Sequence, residues 1–377
     1  MKPLGLYIHI PFCKRKCAYC DFVSYPNCEA HVDGYIETVI GEARLYADSL
    51  FSRKIDTVFV GGGTPSLLSP EQFARLAEGL KACCNWNVTE FTVEANPETL
   101  DADKLKAYKA CGVNRISIGL QSHDDAILAR IGRRHTWDTF LRAYETAAKL
   151  IPNINVDTIF GLPGQTLDGY LETLRRVIAL ELQHVSSYAL KLETGTPLAA
   201  SFEGADEELD REMYHAGIKL LETAGFPQYE TSNFALPGFE CQHNLKYWTG
   251  TEYLGLGVAA YSFLRDGKSR RFGNTRNLDE YRLRVSAGTR PVAQQEILTN
   301  EDEHEEYIML RLRLAKGISF ADYTAHFCHE FTDKFADAIR ICGEAGLIRQ
   351  TQQGITPTVK GFDLQNTLIG EFLKSIQ

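Results

Sequence analysis

The chain has 377 residues, 44% hydrophobic and 24% charged, the balance of a folded protein with a large core rather than a disordered one. Its 49 acidic residues outnumber 40 basic ones, and the formal charge of −9 repels phosphate backbones, so nucleic acid is set aside as a partner. At this length two or more domains are expected.

The opening "LGLYIHI" is too short for the apolar region of a secretory leader and ends at Pro11. No run approaches the length that spans a bilayer. Ten cysteines are present, and seven of them (28, 83, 84, 111, 241, 328 and 342) show no pairing rhythm. They read as small thiols of a reducing compartment, and a cytoplasmic protein is expected.

From "LYIHI" onward, short apolar segments alternate with amphipathic ones. Strands are expected at "LYIHI", "DTVFVGG", "EFTVEAN", "RISIGLQ", "INVDTIFGL" and "HVSSYAL", with helical patterns between them. Ser69-Pro70-Glu71-Gln72 reads as an N-cap, a proline at the first helical position and a capping-box partner; Gly112 stands where a left-handed C-cap belongs. Strand-then-helix repetition means parallel strands with right-handed crossovers. Six such units precede Glu193, against the eight of a full barrel. The expected fold is therefore α/β, a partial (βα)6 barrel with an open side; an open doubly wound sheet is the alternative.

After Thr194 the rhythm fails. A helix is expected in "DEELDREMYHAGIKLLETAGF", followed by a loop-rich, aromatic segment to about Ala293. From Glu296 a smaller, mainly α module with a hairpin is expected. The expected division is residues 1–195 as the barrel core, 196–295 as an extension completing the site, and 296–377 as a winged-helix-like C-terminal domain.

The chemistry concentrates in "IPFCKRKCAYCDF", where Cys13, Cys17 and Cys20 share one tight loop after the first strand. Soft thiolates favour zinc or iron–sulfur clusters. Zinc would need a distant fourth ligand, whereas a four-iron cluster held by three cysteines keeps one iron open. This Cx3CxxC loop, opening a six-unit βα chain, resembles the radical S-adenosylmethionine (SAM) superfamily. The resemblance implies the radical SAM fold and a 4Fe–4S cluster whose open iron binds SAM. It also implies reductive cleavage of SAM to a 5′-deoxyadenosyl radical, and hence an electron donor.

Residues at strand ends suit such a ligand. "GGGTPS" at 61–66 permits close backbone approach; Glu94 can accept two hydrogen bonds from a ribose diol. Arg133 offers a planar fork to a carboxylate, and Asp157, if buried, needs partners. Many of these positions are similar to the oxygen-independent coproporphyrinogen oxidase, or HemN-like, family. That likeness implies that Tyr7, Tyr19, Gly62, Gly63, Thr64, Glu94, Gln121, Arg133, Asp157 and Ala189 contact one or two SAM molecules.

Two features depart from the oxidases. Phe22 stands where they carry a fourth cysteine, and the chain given begins 12 residues before Cys13, where they carry an extension. Both features resemble the HemW-like haem chaperones, as does "HNLKYW" at 243–248. Imidazole can ligate haem iron, and flat aromatics can stack on a macrocycle. His243, Asn244, Tyr247 and Trp248 are therefore the haem-binding candidates. The resemblance implies haem transfer to acceptor proteins; peripheral membrane contact with those acceptors and a homodimer are left open. Coproporphyrinogen III decarboxylation is the enzyme alternative, placed in question by Phe22. A DNA-reading regulator is the third.

Overall fold

The computed structural model describes residues 3–376. Six parallel strands form the centre of one sheet: β1 (Leu4–Ile10), β2 (Lys54–Gly62), β3 (Asn85–Ala95), β4 (Arg115–Gln121), β5 (Ile154–Phe160) and β6 (His184–Ala189). Each pairs in parallel with the next in chain order. Helices 32–45, 70–81, 102–111, 137–150 and 167–178 provide the crossovers. The six-unit expectation thus holds, and so do its local signals. Ser69 and Gln72 form a reciprocal capping box, and Gly112 takes φ +95°.

The two faces of these strands differ sharply. Residues facing the helices are apolar: Ile116, Ile118 and Leu120 on β4, and Val156 on β5, are buried in the main core. The alternate positions on the other face are polar: Glu90, Thr92 and Glu94 on β3, Arg115, Ser117 and Gln121 on β4, Asn155 and Asp157 on β5, and His184 and Ser186 on β6. Period-two alternation puts all of these on one side of the sheet. A closed barrel would fill that side with branched apolar side chains. Here the concave side holds a cavity.

The segment expected to be loop-rich carries six further strands. β7 (Gln228–Glu230) and β8 (Asn233–Ala235) extend the sheet from β6 in antiparallel pairing. β9 (Tyr253–Leu256) lies parallel to β1, and β10 (Tyr261–Arg265), β11 (Ser269–Asn274) and β12 (Val292–Ile297) continue outward. Twelve strands result, ordered 12-11-10-9-1-2-3-4-5-6-8-7. Several of these strands have only three or four residues, too short for a period to declare itself.

Glu42, on helix 32–45, ties the added strands to the core. Its carboxylate accepts from Gly257 N–H (2.7 Å), the Tyr281 hydroxyl (2.6 Å) and Asn274 Nδ2 (2.6 Å). The C-terminal module has its own core, including Ile308, Tyr323, Phe331, Phe335 and Phe372. It also contains the expected hairpin, Ile348–Gln350 against Gly354–Pro357. All ten cysteines are free thiols; of the seven scattered ones, Cys28 is half-buried, Cys328 exposed and the rest buried. Among the described residues no helix is long and apolar enough to cross a membrane.

Candidate functional site

The cysteine loop is anchored on three sides. Gly63 and Thr64 donate backbone N–H groups to the carbonyls of Ile10 and Phe12, both at 2.8 Å. Ala18 donates to Ile131 (3.0 Å) and accepts from Leu198 (2.9 Å). The loop therefore sits at the C-terminal ends of the parallel strands. Cys13 is buried, while Cys17 and Cys20 are half-buried. Thr64 Oγ1 donates to Cys13 Sγ at 3.4 Å, and Arg133 Nη1 to Cys17 Sγ at 3.7 Å. Burial raises the Cys13 thiol above its ordinary value, and the Thr64 hydroxyl acts against that rise.

The donor set fits a cluster-bearing loop. A Cβ added at Gly63 would lie 2.8 Å from the Phe12 carbonyl and 3.0 Å from Cys13 Sγ, so this glycine leaves the loop its room. Among the described residues no group of three His, Cys, Asp or Glu side chains is gathered as for a single metal ion.

Below the loop lies a cavity of about 560 Å³, lined by Tyr7, Tyr19, Cys20, Glu94, Gln121, Asp157 and Ala189, among others. Gly62 (φ +110°) turns the chain where a Cβ would strike the His9 ring at 2.6 Å, and its N–H donates to Glu94 Oε2 at 3.1 Å. Burial, and then the nearby Asp157 charge, raises the Glu94 carboxyl to about 8. Asp157 accepts from Asn155 Nδ2 (2.7 Å) and Ser117 Oγ (3.1 Å), yet burial still holds its carboxyl above the ordinary range. Two acids with raised carboxyls thus face one cavity, and the protonated Glu94 can meet a hydroxyl as donor or acceptor.

Gln121 has φ +73°, the left-handed region, which costs energy for a non-glycine residue and often marks a site. Arg133 donates Nη2 to the Gly119 carbonyl, while its buried Nε has no protein partner. A Cβ at Gly119 would collide with both Arg133 and Gln121, at 2.6 and 2.9 Å. Tyr7 donates its hydroxyl to His9 Nδ1 (3.0 Å), because His9 Nε2–H is used by the Val23 carbonyl (2.8 Å). Of the ten expected SAM contacts, six line the cavity; Gly62, Gly63, Thr64 and Arg133 stand between its wall and the cysteine loop, with Gly62 reaching the cavity through Glu94.

The "HNLKYW" segment forms helix 242–248, and the structure divides it. Asn244 and Tyr247 line the cavity. His243 is fully buried, with Thr57 Oγ1 on Nδ1 and the Tyr247 hydroxyl on Nε2, both at 2.9 Å, and its ring stacks on Phe59. Burial pushes this imidazole down to about 3. In this structure both ring nitrogens of His243 are thus engaged within the protein. Trp248 lies elsewhere, lining a pocket of about 70 Å³ against the C-terminal module.

Phe22 is 67% exposed at the mouth. It stands between the main cavity and a second trough of about 460 Å³ lined by Tyr7, Tyr247, Tyr253, Tyr261 and Arg276. The sequence reading passed over three residues here: Arg115, Glu90 and Tyr261. Polar residues alternating through βα-unit strands were the signal for the first two.

Comparison with known proteins agrees with this geometry. Residues 7–177 match the Radical SAM superfamily, and residues 298–364 match the HemN C-terminal domain. The chain is 34% identical to heme chaperone HemW of Lactococcus lactis, covering 99% of this chain and 98% of that one. It is 33% identical to heme chaperone HemW of Bacillus subtilis (97% and 98%) and 36% identical to that of Escherichia coli (86% of each). Among solved structures, coproporphyrinogen III oxidase (HemN) from E. coli superposes with a TM-score of 0.85 at 24% identity, covering 98% of this chain and 90% of that one. That likeness concerns the fold.

Proposed function

This chain belongs to the radical SAM superfamily and, within it, to the family of the heme chaperone HemW, and on that premise we propose that it carries haem to acceptor proteins in the cytoplasm. Cys13, Cys17 and Cys20 would hold a 4Fe–4S cluster, which supplies one electron for SAM when reduced by a donor protein. Tyr7, Tyr19, Gly62, Gly63, Thr64, Glu94, Gln121, Arg133, Asp157 and Ala189 would hold SAM. In this assignment Glu94 takes the ribose hydroxyls, and the unpartnered edge of Arg133 takes a carboxylate.

Asn244 and Tyr247 would face the haem, with His243 holding the Tyr247 hydroxyl in place. Residues 1–195 would bind the cofactors, 196–295 complete the cavity, and 296–377 present the carrier to its acceptors, as a monomer or homodimer.

The observation that carries this reading is a concavity, lined by aromatic rings with Glu94, Asp157 and Arg115 among them, directly under three free thiols. Phe22 favours the chaperone over the decarboxylating enzyme, because an exposed ring replaces the oxidases' fourth cysteine and offers a flat face at the mouth. The test is titration of the cluster-loaded protein with haem. Binding at micromolar haem supports the reading; its failure there, or vinyl product from coproporphyrinogen III in an anaerobic assay with SAM and reductant, overturns it.

A further inference from the structure

The floor of the cavity holds a cation that the SAM contacts do not use. Arg115, the first residue of β4, is only 2% exposed, yet it lines the cavity. Its Nε is buried without a partner, and no carboxylate lies within ion-pair distance of its guanidinium among the described residues. The nearest acids act at longer range: Glu90 is committed to backbone N–H groups at 242 and 243, and Asp157 to Asn155 and Ser117. A buried charge without a hydrogen-bonded counter-ion is costly, by several kcal/mol as an order of magnitude. Such a group persists when a ligand supplies the missing anion.

The surroundings suit a carboxylate. Ser117, Asn155, Ser186 and Asn244 line the same cavity. The Asn244 carboxamide makes no hydrogen bond to another described residue, and Thr92, which pairs with Arg115 across the sheet, has a buried hydroxyl without a partner. Guanidinium, carboxamide and hydroxyl together offer only donors and rotatable groups to an incoming oxygen pair.

We propose that Arg115 is the anchor for a propionate of the bound porphyrin, an inference that rests on the haem-carrying reading above. The alternative source of a carboxylate is SAM's own methionine group. Position argues against it: Arg115 and Gln121 are six residues apart on one strand, roughly 20 Å, and the cysteine loop lies at the far end. A ligand reaching from the aromatic mouth to this floor must be long and apolar with an acid at its tip. A tetrapyrrole with propionates has that shape.

The experiment compares the full-length wild-type protein with Arg115→Met and Arg115→Lys, titrated with haem, with haem dimethyl ester and with SAM, and circular dichroism confirms that each variant is folded. The wild type should bind haem at least about tenfold more tightly than the ester, the worth of one charge-assisted bond pair. Arg115→Met should lose that preference while binding the ester as the wild type does, and Arg115→Lys should keep part of it. Equal binding of haem to wild type and Arg115→Met overturns the anchor while leaving the haem-carrying reading intact. A loss confined to SAM assigns the floor to the nucleotide and overturns it too. If the wild type binds neither porphyrin, the reading and the anchor fall together.

Discussion

The Glu90 carboxylate accepts the backbone N–H of His243 at 2.9 Å, joining β3 to helix 242–248 across 153 residues of chain. Its other oxygen accepts the N–H of Gln242 at 2.8 Å. A helix start leaves such donors unsatisfied and carries partial positive charge, so a buried carboxylate from a neighbouring strand meets both needs. This contact sets the helix whose Asn244 and Tyr247 face the cavity.

Glu90→Ala should therefore destabilise the protein by about 2 kcal/mol, since the buried His243 N–H and the part-buried Gln242 N–H lose their acceptor. Glu90→Gln, which keeps one acceptor oxygen, should cost less. Urea unfolding of the three proteins measures the order. Equal stability of wild type and Glu90→Ala would contradict the capping role.

Gly63→Ala should impair the cysteine loop. The added methyl would press on the Phe12 carbonyl and on Cys13 Sγ, and overpacking of this kind costs about 1–3 kcal/mol. Iron incorporation on anaerobic reconstitution should fall relative to wild type, with the far-UV circular dichroism unchanged. Full iron loading of this variant would mean the loop has slack that the contacts do not show.

Stability should fall as the pH rises above neutrality. Glu94 keeps its proton up to about 8 in the folded chain, against 4.5 when unfolded, so between these values the folded state binds more protons. Glu42 and Glu230, both raised by burial to about 7, act in the same direction and fade above neutrality. His243 and His135, both lowered to about 3, act oppositely, and their contribution is complete above 6.5. From pH 7 to 8 Glu94 contributes the largest share among these groups, worth about 1 kcal/mol after allowance for its contact with the cavity, with Glu42 and Glu230 adding the tail of their titrations. Glu94→Gln should flatten that segment of the unfolding curve; an unchanged slope would remove Glu94 as its source.

His243→Ala should cost stability rather than iron ligation. It empties a space beside Phe59 and strips the Thr57 and Tyr247 hydroxyls of their partner, a loss of about 2–3 kcal/mol. The haem complex should keep its Soret position. A shift to the spectrum of a complex lacking one axial ligand would restore His243 as that ligand.

Much of this architecture was legible in the chain itself. β2 carries "DTVFVGG" and helix 70–81 opens on Ser69-Pro70, so the strand pattern and the cap gave the same unit from two directions. The strands Gln228–Glu230 and Asn233–Ala235 escaped because they are shorter than the two periods a pattern needs; pairing of β8 with β6 and of β7 with β8, not propensity, makes them strands. The cysteine loop and the glycines of 61–63 carried their chemistry in plain view. Arg115 did not, because its meaning lies in what fails to contact it. The surroundings of His243 were equally hidden: its residue type suggested a ligand, and only the structure shows Thr57 and Tyr247 on its two nitrogens.

The central claim is that the cysteine loop holds an incompletely ligated four-iron cluster facing a SAM-binding cavity. Its most direct test is iron and sulfide analysis of the anaerobically reconstituted protein, with electron paramagnetic resonance of the reduced sample before and after SAM. The account predicts about four irons and four sulfides per chain and a spectrum that changes when SAM is added. Bound zinc in place of iron, or a cluster signal that SAM leaves untouched, would contradict it.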